Sequence, residues 1–178
     1  SEVDDLKRKL DEVVRRAKEE SKEISERLEE IVRDAERLLK ELHEEDERIV
    51  DRARKEIRTR EMVEEFVRRS EDVARKTTEI VKKVVEELRR VSETNERVVE
   101  RVLRELDEIV RKIEEDVTDR DKLEKIRDAV RKVKEELERS LEKDRKRVTE
   151  IEEKLKKLVE ENRRTSKRVK EELEEKVR

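Results

Sequence analysis

Glycine and proline are both absent from this sequence of 178 residues. Average usage is roughly 7% Gly and 5% Pro, so about a dozen of one and nine of the other would be ordinary. Without them the chain cannot build hairpin turns that need positive φ, Gly-rich phosphate loops or flexible linkers. Cysteine is missing too, which removes disulfides and thiolate metal sites and leaves the redox compartment unread. Trp and Tyr are absent and there is one Phe, so no aromatic platform for single-stranded nucleic acid exists. Charge of one sign is also lacking. The 52 basic and 55 acidic residues interleave to a net charge of −3, with no polybasic arm or acidic tail. No apolar run approaches 18 residues, so no membrane-spanning helix is expected, and no signal-type segment is legible. The chain opens on Ser1 rather than Met, which suggests a processed terminus.

What is present is charge, at 60% of residues, on a background of helix formers. High charge with low hydrophobicity is also the composition of disorder, so the order of the apolar residues decides. In the first third the stripe they trace runs through Val3, Leu6, Leu10, Val13 and Ala17, then Ser21, Ile24, Leu28, Ile31 and Ala35. The series continues through Leu39, Leu42, Asp46, Ile49, Ala53 and Ile57. Steps of 3, 4, 3, 4 and 4 put five positions in 18 residues, a period of 3.6. That is the period of a straight α-helix, whereas a heptad pattern would give 3.5 and a supercoil.

Adding 60 to each number gives a second stripe from Val63 to Val117, and adding 120 a third from Leu123 to Val177. Of these 48 positions 40 are apolar, and the rest are Ser, Thr, Asn or Asp. None is Lys, Arg or Glu, although those types supply more than half of the chain. Disorder would not exclude them. The reading is all-α: a single domain over 1–178, a straight up-down-up antiparallel three-helix bundle. Its helices cover about 2–57, 60–116 and 120–177, each about 56 residues and roughly 84 Å long. Thr59 and Asp119 hold equivalent places before the second and third helices. Both are good N-caps, each followed by an acid where the helix dipole favours one. The short turns force neighbouring helices antiparallel.

The eight polar stripe positions gather when the helices are stacked in that register. One cluster takes Ser21, Asn95 and Asp144, with Ser25, Ser92 and Ser140 at its edge. The other takes Asp46, Ser70, Thr77, Asn162 and Ser166, flanked by His43 and Thr165. A buried polar group with partners costs little, while a lone one costs several kcal/mol. Such clusters therefore fit best as hydrogen-bond networks that select one helix order and register.

Sharper chemistry fits less well. His43, Asp46 and Ser70 or Ser166 could meet as a Ser-His-Asp set, but a mid-helix backbone offers no free N–H groups for an oxyanion hole. Di-iron bundles need Glu-x-x-His on two helices, whereas Lys40 stands three residues before the only histidine. No catalytic residue, metal ligand or cofactor-binding residue is therefore assigned, and no enzyme activity is expected. A crescent-shaped membrane-bending module would want kinks and a basic concave face, and neither is encoded.

The untwisted 18-residue repeat, the repetition of one core plan every 60 residues and the Glu/Arg/Lys surface resemble de novo designed, parametrically generated helical bundles with buried hydrogen-bond networks. The turn "VTDRDKLEKI" (117–126) is similar to connections used in designed helical hairpins. The resemblance implies a structural scaffold with no natural biochemical function, soluble and cytoplasmic if made recombinantly, and more stable than the usual 5–15 kcal/mol. Its alternative is an interaction module, either part of a helical homo- or hetero-oligomer or a cage-type switch. Outside the common stripe the third helix adds only Ala129 and Leu158. That narrow face favours a monomer requiring no partner, nucleic acid or membrane, with self-association or a helical partner as the alternative.

Overall fold

The structure, a computed structural model, describes residues 2–178. Three helices account for nearly all of them: α1 (Glu2–Glu56), α2 (Arg60–Asp116) and α3 (Arg120–Lys176). α1 and α3 end one residue short of their expected ends. The connections are three residues each, and no described residue has positive φ. The chain turns without glycine because the side chains before α2 and α3 cap them. Thr59 Oγ1 accepts from the Met62 backbone N–H at 3.3 Å. Asp119 Oδ1 accepts from those of Asp121 at 3.0 Å and Lys122 at 3.4 Å. These bonds satisfy donors that a helix start otherwise leaves without partners.

All three helices contribute to each of two compact units. Unit 1 comprises Ser1–Glu29 with Arg89–Val148, and unit 2 comprises Glu30–Leu88 with Thr149–Arg178. Every one of the 48 stripe positions is buried or half-buried, so the 3.6 period does mark the inward face. In unit 1, Leu10, Val13 and Ala17 of α1 pack with Val99, Val102, Leu106, Ile109 and Ile113 of α2 and with Val130, Leu137 and Leu141 of α3. Unit 2 holds a cluster of Ala53, Ile57, Val63, Phe66, Val169 and Leu173. Ile57 lies in the first connection yet is only 3% exposed, so that turn is fastened to the core by its own side chain.

Ion pairs edge the seams of unit 1. Arg147 meets Glu29 between α3 and α1 at 2.9 Å, and Arg101 meets Glu20 between α2 and α1 at 3.2 Å. Arg127–Glu114 at 2.8 Å, Lys134–Asp107 and Arg145–Glu96 at 2.7 Å join α3 to α2. Exposed pairs of this kind contribute roughly 0–1 kcal/mol each. Their value here is as markers. The two residue numbers of each α2–α3 pair have the same sum, which is the signature of antiparallel helices in constant register.

Candidate functional site

The residues with most chemistry inside unit 1 are those that interrupt its apolar stripe. Asn95, on the inward face of α2, is 2% exposed. Its Nδ2 donates to Asp144 Oδ2 of α3 at 2.9 Å. Ser25 of α1 donates its hydroxyl to the same carboxylate, 3.1 Å from each oxygen. One turn away, the Ser21 and Ser140 hydroxyls lie 3.1 Å apart across α1 and α3. Five of the six residues expected in this cluster are thus joined in two adjoining sets, one of which spans all three helices. Ser92 is half-buried beside them and makes no hydrogen bond to any.

Burial pushes the Asp144 carboxyl above its ordinary value of 3.8. Hydrogen bonds from Ser25 and Asn95 and the charge of Lys143 pull the other way, while Glu29 adds to the rise. The folded protein therefore holds this proton more tightly than the unfolded chain does. Its stabilising contribution is complete below the unfolded value and is lost as pH rises through the folded one. We expect the stability of the parent, relative to an Asp144→Asn variant that cannot ionise, to rise as pH falls from 7 towards 4. Urea titrations of both proteins across that range check this, and a constant difference would contradict it.

The second expected group does not assemble as a network. Ser70 and Ser166 do meet, at 3.3 Å between α2 and α3. Thr77, although 2% exposed, donates instead to the Val73 carbonyl of its own helix at 2.9 Å, as Thr78 does to Ala74. This i−4 back-bond is always within reach of a helical threonine and needs no partner from another helix. Asn162 and Thr165 are half-buried and make no hydrogen bond to the group. His43 lies on the surface of α1, where its Nε2 pairs with Glu47 at 2.8 Å. A position one residue past the stripe lies at its edge, where Ser25 turns inward to Asp144 and His43 turns outward to its i+4 neighbour in solvent. Asp46 is half-buried and bonds to none of the others. Burial raises its carboxyl, and the nearby His43 only partly offsets that. The Ser-His-Asp geometry is therefore not formed, because His43 contacts neither Ser70 nor Ser166.

Among the described residues, no group of three or more His, Cys, Asp or Glu could hold a metal ion. None of the described helices is long and apolar enough to cross a membrane. No buried side-chain nitrogen or oxygen among them lacks a hydrogen-bond partner, so no unpartnered donor or acceptor points to a missing ligand.

No family model and no curated protein matches the sequence. Among solved structures the chain is similar to a computationally designed three-helix bundle, with a TM-score of 0.51 and 19% identity. The likeness covers 99% of this chain and 87% of that one. At that identity it is the fold that is shared: three long helices and no strands. The class read from the sequence, designed three-helix bundles, is the class to which this neighbour belongs.

Proposed function

We propose that the chain is a designed structural scaffold, monomeric, in which the buried polar cluster of unit 1 selects the order and register of the three helices. The observation that carries this reading is the Asn95–Asp144–Ser25 set. It draws one side chain from each helix, and each bond demands a particular neighbour. Hydrophobic contacts would not be so selective, because Val and Leu along the stripe are interchangeable between layers. The three-residue connections already limit how far the helices can slide. What remains to be chosen is the side of the α1–α2 pair on which α3 packs, together with small shifts of register. Ser25 sits on the flank of α1 that meets α3, beside the Arg147–Glu29 pair. With α3 on the opposite side, Asp144 would be desolvated without that donor, which is unfavourable.

The monomeric state rests on the near-complete burial of the stripe. Leu38 and Met62, 39% and 36% exposed, are the exposed large hydrophobic residues among those described. Two isolated side chains make no interface of the size that stable association needs. Size-exclusion chromatography with light scattering tests it: a mass near 21.8 kDa is expected, and a clean dimer or trimer would sink this part of the reading. An oligomer component or a cage-type switch is the reading that would then replace it.

A further inference from the structure

In unit 2 the seam between α2 and α3 is not closed as it is in unit 1. Extending the register of the α2–α3 ion pairs sets Ala74 opposite Lys167 and Thr78 opposite Arg163. The same register sets Glu71 opposite Lys170, but the small side chains of Ala74 and Thr78 leave the stretch beside them open. A groove of about 850 Å³ opens there. Phe66, Val67, Ala74 and Val159 give it an apolar floor, with Ser70 and Asn162 among them. The α3 wall carries Arg163, Lys167 and Lys170 and no acid. The α2 wall carries Glu71, Arg75 and Glu79, so four cations face two acids around the rim. Arg75 is occupied by Asp72 at 2.6 Å and Lys170 lies 4.0 Å from Glu174. Arg163 and Lys167 make no ion pair with any described residue.

We propose that this groove binds an elongated amphiphilic anion, a medium-chain carboxylate being the simplest, with its tail on the floor and its head on Arg163 and Lys167. Shape selects the class. The lining on α2 runs from Phe66 to Glu79, about 20 Å at 1.5 Å per residue. Over that length the groove is a long trough, open to solvent on one side, along which an extended hydrocarbon chain can lie. The volume is also in the range of small-molecule sites, which pair a mostly apolar lining with a few placed polar groups. Charge selects the head group, because the two cations without partners stand together on one wall.

Isothermal titration with sodium dodecanoate below its micellar concentration, on the full chain, tests the proposal. One saturable site per chain is expected. Shortening the tail to decanoate should weaken binding about tenfold, as expected for two fewer buried methylenes. Ala74→Phe fills the groove and should abolish binding. Arg163→Glu with Lys167→Glu, both exposed and so harmless to folding, should weaken it at least tenfold. Lys125→Glu with Lys132→Glu, far along α3, should leave it unchanged. Circular dichroism confirms that each variant is helical. The proposal is overturned by any of four results: no saturable binding, binding indifferent to Ala74→Phe or to the charge reversal, equal binding of uncharged dodecyl maltoside, or occupation of the groove by a second copy of the chain, seen as dimerisation that Ala74→Phe abolishes.

Discussion

Truncating Leu106 to alanine is expected to lower the stability of the protein by about 2–5 kcal/mol. Leu106 is 0% exposed and lies in the unit 1 core among residues of all three helices. Removing its isobutyl group forfeits the transfer free energy of the lost carbons and opens a cavity that long, mutually braced helices cannot easily close. The neighbours are β-branched to a large degree, with Val99, Val102, Ile109 and Ile113 on α2 alone. Their stiff χ1 rotamers leave little freedom to move into the gap. Guanidinium unfolding followed by circular dichroism checks the value. The midpoint should fall while the dependence on denaturant stays unchanged. A loss below about 1 kcal/mol would mean that this layer is loosely packed. By contrast, the exposed Leu38 can be replaced by Ala with an effect of only about 0.5 kcal/mol.

Breaking the buried polar cluster and replacing it are expected to have opposite consequences. Asn95→Val alone takes one donor from a carboxylate that is 9% exposed, leaving Asp144 with Ser25. A desolvated charge short of a partner costs about 1–3 kcal/mol. Replacing the whole set, Ser25→Ala with Asn95→Val and Asp144→Val, removes the charge and its donors together. That variant should be as stable as the parent or more stable, by up to a few kcal/mol, because apolar packing often surpasses a satisfied buried polar group. The signature is strong non-additivity, read from denaturant titrations of the single, double and triple variants. If the triple variant loses the sum of the single effects, the cluster is a source of stability and the specificity reading fails.

The extent to which this was legible from the residues follows from how each type meets its needs. The inward stripe could be read because Lys, Arg and Glu cannot be buried cheaply, and their exclusion from 48 positions leaves little freedom. Thr59 and Asp119 could be read because a helix start needs an oxygen acceptor and no glycine was available to make the turn otherwise. Asn95 and Asp144 could be placed together because neither can satisfy itself within a helix when buried. Thr77 could not be assigned in the same way, since its hydroxyl has a carbonyl waiting four residues back. The place of His43 could not be read, because a residue at the edge of the stripe can turn inward, as Ser25 does to Asp144, or outward, as His43 does to Glu47. The groove in unit 2 left a fainter trace. Its signal was the pair of small side chains, Ala74 and Thr78, on the flank of α2 that faces Arg163 and Lys167. A pattern of core positions alone does not reveal it, because it lies on the flank of the stripe.

The central claim, that the cluster selects how α3 sits against α1, can be tested by disulfide trapping. Ser21 and Ser140 place their hydroxyls 3.1 Å apart, so Ser21→Cys with Ser140→Cys should close an intramolecular disulfide under mild oxidation. The same cysteine pair is then introduced beside Ser25→Ala, Asn95→Val and Asp144→Val. With the cluster intact, the account predicts rapid and complete intramolecular closure. Without it, closure should be slower and incomplete in a protein that remains fully helical, because other packings of α3 are then populated. Equal rates and yields in the two backgrounds would contradict the account.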